Sequence, residues 1–210
     1  MKSAKDLLIL LPTFGILIFI GLFVYASSLY PGGSQADINS VGFDWMNNFW
    51  CNLMNENAVN GQENPASLIA IIAMIILCAS VTLNYFYFAA IFEKNRIWKM
   101  IIKISGTIST LSAVFIFSKY HDIMTTLLSV FGALGIIGII RALHKNNLTF
   151  FKLTGIVCMI LVGMNNLFYY VESLIEYLPM IQKITFILIL AWIVGLNLKM
   201  KNKNVLQQRV

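Results

Sequence analysis

Residues 66–92 read ASLIAIIAMIILCASVTLNYFYFAAIF, without one charged side chain, and Glu93-Lys94-Asn95-Arg96 follow at once. As an α-helix, an apolar run of this kind crosses a hydrocarbon core about 30 Å thick, which takes ~20 residues. Five further runs share the character, at 7–30, 98–118, 123–142, 150–170 and 178–198. The expected fold is all-α: one integral membrane domain over 1–210, a six-helix bundle.

The cations set its orientation. All but two of the fifteen Lys and Arg residues fall in every second gap between the runs. With the N-terminus inside, the cytoplasmic segments hold Lys2 and Lys5, then Lys94, Arg96, Lys99 and Lys103, then Arg141, Lys145 and Lys152, and last Lys199, Lys201, Lys203 and Arg209. Only Lys119 and Lys183 are left outside. Cytoplasmic segments carry the Lys/Arg excess, so both termini are expected in the cytoplasm of a bacterial inner membrane or a plasma membrane. Helical spans argue against a bacterial outer membrane, whose spanning proteins are barrels.

Composition points the same way, with 59% hydrophobic and 11% charged residues against roughly 25% charged in soluble domains. The net charge of +6 sits beside span ends, where it directs topology and attracts anionic headgroups, and nucleic acid is not an expected partner. Residues 7–25 exceed the ~7–15-residue core of a signal peptide, so the first run reads as a retained anchor. Cys78 and Cys158 fall inside spans as small hydrophobes. Cys51 stands in the loop, either free or available to another chain.

One gap is long. Residues 31–65 carry Phe43, Trp45, Met46, Phe49, Trp50, Leu53 and Met54, and disordered segments are poor in aromatics. Pro31 ends the first span and Gly32-Gly33 permit a sharp turn. Asp44 suits the N-cap of a short helix reaching about Met54, on which Met46, Phe49, Trp50 and Leu53 would form one apolar stripe. Asn60-Gly61 marks a second turn, and Asn64-Pro65 leads into the next span. The expectation is an extracytoplasmic loop carrying a short interfacial helix.

Within the bundle, Ser105, Ser109 and Ser112 with Gly106 and Thr110, and Ser129, Gly132, Gly135 and Gly138, form faces of small residues that let backbones approach. The serine-rich face alternatively lines a solute path. No Asp, Glu, His or Arg lies near the middle of a span, which disfavours ion-coupled pumps, proton relays and voltage sensors. Lys103 and Lys183 lie about one turn inside span ends and are expected to snorkel outward.

Asn165 and Asn166 are the deepest polar pair. Asn165, Tyr169 and Glu172 follow i, i+4, i+7 spacing toward the outer surface, where His121 and Asp122 also lie. Asp122 reads as a helix N-cap. Asp44, His121, Asp122 and Glu172 share the outer face, yet no H-E-x-x-H spacing accompanies them. His121 and Cys51 alone are too few for a zinc site, so no metal or other cofactor is expected. Ser34 and Ser40 lack a G-x-S-x-G context. Asn147-Leu148-Thr149 matches a glycosylation sequon on the side read as cytoplasmic, where the match is accidental.

Tyr30-Pro31-Gly32-Gly33-Ser34, Gly42-Phe43-Asp44-Trp45, Asn48-Phe49-Trp50-Cys51-Asn52-Leu53 and Asn60-Gly61 with Asn64-Pro65-Ala66 together resemble an uncharacterised family of small bacterial multi-pass membrane proteins, a domain of unknown function. That group is distantly similar to DRAM/Sfk-like six-span proteins. The resemblance implies a six-helix bundle with no assigned reaction, and makes Asp44, Trp45, Trp50, Cys51, Asn60, Gly61 and Asn64 its distinctive outer feature.

Three functions are open. The first is non-enzymatic binding of lipid, or of a membrane partner or second copy, through the outer cap, with Asp44, Trp45, Trp50, Asn60, Asn64, His121, Asp122, Asn165, Tyr169 and Glu172 as candidate ligand contacts. The second is an outer-leaflet lipid-headgroup enzyme using Asp44, His121, Asp122 and Glu172. The third is a transporter or channel for a neutral solute.

Overall fold

A computed structural model describes residues 4–207, with side chains over 7–203; Lys2, the Lys5 side chain and Arg209, all part of the charge pattern, lie outside it. The chain is helical: α1 (Ala4–Ile9), α2 (Leu11–Leu29), α3 (Ser67–Phe92), α4 (Arg96–Val114), α5 (His121–Lys145), α6 (Thr149–Tyr170) and α7 (Leu178–Gln207), with short 3-10 helices at Trp50–Met54 and Glu172–Tyr177. No strand occurs among the described residues, only two isolated bridges within the long loop.

Five helices are long and apolar enough to cross a membrane: α2, α3, α5, α6, and α7 with its preceding 3-10 turn. These mark a membrane protein. Helix α4 falls outside that set, because Arg96, Lys99, Lys103 and its serines and threonines dilute nineteen residues. Its two faces are nonetheless inverted relative to a water-soluble helix. Ser105, Ser109, Thr110 and Ser112 are buried while Ile97, Met100, Ile104 and Leu111 are exposed. Large apolar side chains also cover the outward faces elsewhere, among them Leu17, Leu68, Phe150 and Ile160. A surface so continuously apolar is foreign to soluble monomers.

The first expected span is broken in two. Pro12 has no N–H and its ring crowds the carbonyl four residues back, so the helix restarts after Leu10. The joint is held by α7, where the fully buried Asn197 donates from Nδ2 to the Ile9 carbonyl (2.6 Å) and accepts from Thr13 Oγ1 (2.7 Å).

Consecutive helices pack side by side from α2 to α7, and α7 returns to touch both α3 and α2. The result is a ring of α3 to α7, with α2 packed outside against α3 and α7. Small residues make the close approaches expected of them. The Tyr85 ring of α3 wedges between Gly106 of α4 and Gly135 of α5, where an added Cβ would come within 2.4 Å and 3.0 Å of it. Ser109 Oγ donates to the Leu128 carbonyl across to α5 (3.1 Å), and the Thr82 and Thr110 hydroxyls pair at 2.7 Å.

The two ends of the ring differ. In α5 the buried residues are Gly135, Ile136, Gly138, Ile139, Ala142 and Leu143, all in its second half. In α6 they are Gly155 and Cys158, in its first half. The end away from the long loop is therefore tight, and polar bonds lock it. Arg141 donates from Nη1 to buried Glu93 (2.6 Å) and lies 4.6 Å over the Trp98 ring. Asn146 donates to the Phe92 carbonyl (2.9 Å) and accepts from Lys203 (3.1 Å). Arg141, one of the cations from which the orientation is expected, thus also pairs with a buried carboxylate.

Gly106→Ala is expected to lower stability by about 1–3 kcal/mol, because its methyl meets an enclosed ring. At Gly163 an added Cβ meets nothing within 4 Å, and Gly163→Ala should hold or raise stability through helix propensity, worth up to ~1 kcal/mol. Thermal unfolding of both variants in one detergent checks the contrast.

Candidate functional site

The loop between α2 and α3 folds as a cap over the open end of the ring. Its first turn needs glycine: Gly33 has φ +82°, and a Cβ there would lie 2.3 Å from the Asn60 nitrogen. The Gly33 N–H donates to the Ser40 carbonyl (2.8 Å), and the Gly33 carbonyl accepts Asn48 Nδ2 (2.8 Å). Asp44 caps the next turn, Oδ1 accepting from the Met46 and Asn47 N–H groups and Oδ2 from the Asn47 amide. The Asn47 amide, aided by those N–H groups, holds the Asp44 carboxyl below its ordinary pKa.

The single helix expected from Asp44 to about Met54 does not form. A turn at 44–48 is followed by extended Phe49 and the 3-10 helix Trp50–Met54. In a continuous helix the Asn48 carbonyl would accept the Asn52 N–H. Instead that carbonyl accepts Lys183 Nζ of α7, and the Asn52 N–H turns to Phe49 (3.2 Å). The apolar stripe dissolves accordingly, with Met46 exposed and Leu53 fully buried.

Lys183 itself departs from expectation. It does not snorkel to the surface but is 8% exposed. Its ammonium donates to the carbonyls of Asn48 and Pro179 and lies 5.8 Å from the Phe43 ring centroid and 6.0 Å from that of Trp50. Partners of this kind are what a buried cation requires.

Around this cation the aromatic residues run in contact. Tyr30 meets Phe43, Phe43 meets half-exposed Trp45, Trp45 meets Trp50, and Trp50 stacks on Phe23 of α2 and Phe186 of α7. Gln182 accepts the Trp50 backbone N–H (3.2 Å). Asn64 staples the far side of the cap, its amide reaching the carbonyls of Asn52, Leu53 and Asn55 while Oδ1 accepts the Ala66 N–H. Asn60 serves its own turn, accepting the Gln62 N–H.

Beneath the cap lies a partly open cavity of about 370 Å³, lined by α3 to α7 and roofed by Phe49, Trp50, Cys51 and Met54. That size falls in the lower part of the ~300–1,000 Å³ range of small-molecule sites. Its wall is chiefly apolar, with Ser109, Thr125, Asn165, Asn166 and Gln182 among its polar interruptions, and among the described residues no Asp, Glu, Lys or Arg lines it. Burial pushes the Cys51 thiol up to about 11, so the roof carries no thiolate at neutral pH. Asn165 donates to Thr185 of α7 (2.6 Å) and Asn166 to the Val162 carbonyl (2.8 Å).

At the rim, Tyr169 of α6 donates to Asp122 Oδ1 of α5 (2.7 Å), which His121 Nδ1 also approaches at 3.2 Å. His121 and Tyr169 line the cavity; Asp122 is exposed outside it, and so is Glu172, which follows the end of α6. The i, i+4, i+7 stripe therefore stops at Tyr169. Asn165 and Tyr169 share the wall with Trp50, Asp44 and Asn64 build the cap, and Asp122 ties the rim. Among the described residues no group of three His, Cys, Asp or Glu is placed to hold a metal. Sequence reasoning gave no role to Thr125 and Gln182, which carry no motif, nor to Asn48, although Asn48 opens one of the stretches that carry the resemblance. It noted Lys183 but not its partners.

Compared with models of known families, with curated proteins and with solved structures, the chain matches none.

Lys183→Met and Asn48→Ala should each loosen the cap, seen as faster amide exchange over 44–54. Their double-mutant cycle is expected to show a coupling of about 0.5–3 kcal/mol. Asp44 adds a pH dependence. Its folded pKa is depressed, so its contribution is complete above the unfolded value of about 3.9 and is lost as pH falls through the lower folded value. Acidification below pH ~4 should lower the protection of the Met46 and Asn47 amides, their exchange taken relative to the intrinsic rate at each pH, in the wild type, while Asp44→Asn flattens the profile.

Proposed function

We propose that this chain is a non-enzymatic, lipid-binding membrane protein that holds an apolar or amphiphilic molecule beneath its outer cap. The observation that carries the reading is the cavity of about 370 Å³ with a chiefly apolar wall, roofed by the loop's 3-10 helix. Pockets of this kind bury most of an apolar ligand's surface, and burial contributes about 25 cal/mol per Å². Here α4 acts as a sixth span, supported by its exposed apolar face and by its place in the ring between α3 and α5. Arg96, Arg141, Lys199 and Lys203 all belong to the tight end, which on the positive-inside rule is cytoplasmic. The cap is then outside and both termini inside, in a cell membrane.

A second reading, passage of a neutral solute, draws support from Asn165 and Ser109 on the cavity wall. The lipid-headgroup enzyme has less behind it. His121 and Asp122 meet at the rim, whereas the Asp44 carboxylate is taken by the turn it caps and Glu172 lines no part of the cavity.

Native mass spectrometry of protein released from its own membranes tests the proposal. The wild type should retain a defined lipid mass, and Ser129→Trp, which places an indole on the cavity wall, should lose most of it. Equal retention by both proteins would sink the reading.

A further inference from the structure

Two residues of the cavity wall each carry a polar atom with no partner among the described residues. Trp50 Nε1 and Thr125 Oγ1 make no hydrogen bond and are sealed from water on every side, the cavity's included; both residues line the cavity, so a side-chain rotation would present each atom to it. Trp50 belongs to its roof and Thr125 to the first turns of α5, so both stand at the capped end. Leaving such groups unsatisfied is costly, and native structures rarely do so without a reason. Their chemistry specifies what is missing. An indole N–H only donates, whereas a threonine hydroxyl donates and accepts. The shared complement is an oxygen acceptor, with or without a hydroxyl of its own.

Charge narrows the class. Among the described residues the wall offers no Asp, Glu, Lys or Arg, its His121 imidazole already meets Asp122 at the rim (3.2 Å), and the nearby ammonium of Lys183 is engaged by two carbonyls. An ionised headgroup carried inside would remain unpaired at high cost. Below the polar end the wall is aliphatic and aromatic, through Leu77, Ile136, Ile189, Leu190, Ile193 and Leu196. A hydrocarbon chain fits there.

Access follows from the uneven packing of the ring. Helices α5 and α6 bury residues only in the halves away from the cap. At the capped end the bond from Tyr169 to Asp122 joins them. That seam faces the hydrocarbon sideways, which suits a molecule already dissolved in the bilayer.

From these observations we infer that the cavity is a site for an uncharged single-chain amphiphile. Its ester, carbonyl or hydroxyl oxygen bonds Trp50 Nε1 and Thr125 Oγ1, each turned into the cavity by a rotation of its side chain, and its chain runs down toward Leu196. The inference rests on the proposed lipid-holding role and adds the ligand class and the two groups that recognise it.

The test uses the full chain in nanodiscs, titrated with monolaurin and, separately, with laurate, which has the same chain and an ionised head. Trp50→Phe keeps a ring and removes the N–H. Thr125→Val keeps the shape and removes the hydroxyl. Monolaurin should bind more tightly than laurate, and each variant should weaken monolaurin by roughly three- to tenfold, the worth of one hydrogen bond, with the unliganded Thr125→Val protein no less stable to heat than the wild type. Laurate binding as well as monolaurin, or both variants binding monolaurin like the wild type, would overturn the ligand class. It would leave the broader lipid-holding role intact if Ser129→Trp still blocks binding. Failure of both probes to bind would also overturn it, and retention of native lipid from the membrane then judges the broader role separately.

Discussion

The capped end of this protein depends on one buried ammonium. Lys183 sits a turn and a half into α7, 8% exposed, and no carboxylate among the described residues lies within salt-bridge reach. Burying it is tolerable only if fixed dipoles replace its hydration. The Asn48 carbonyl, the Pro179 carbonyl and the faces of Phe43 and Trp50 do so. To supply them the loop must interrupt its own helix at Asn48, and that interruption turns Trp50–Met54 inward as the roof of the cavity. Cation, cap and cavity are one construction.

The rest of the bundle is built on an opposite logic at its two ends. Away from the cap, glycines admit the Tyr85 wedge, and Glu93, Arg141, Asn146 and Lys203 cross-link the helix termini. Close packing of that kind leaves little room for motion. Toward the cap, α5 and α6 bury nothing fully, and a tyrosine–aspartate bond at the rim joins them. One end holds the shape, and the other leaves space.

Much of the helical layout was legible because hydropathy acts over long windows. Each expected run contains or nearly matches a helix, and the small residues of α4 and α5 lie where backbones approach. The break at Leu10 could have been found from Pro12 alone. Two features were not legible. Asn48 looks like any loop asparagine, yet its bonds to Gly33 and Lys183 decide the path of the cap, and both partners come from distant parts of the chain. Lys183 looked able to reach the surface, since side-chain length alone permits it. What prevents this is the loop lying over it, and no local pattern encodes that. The cavity is less legible still, being the space left by six segments.

Helix α7 has a consequence for assembly. Asn197 reaches back 188 positions to Ile9, and Lys183 reaches back 135 to Asn48. The hairpins from α3 to α5, by contrast, close between near neighbours and can form as soon as they are made. Until the last helix enters, the joint at Leu10 and the carbonyl of Asn48 lack their partners, and the ring lacks a wall. The final span thus acts as a clasp, and the chamber exists only once synthesis has reached it.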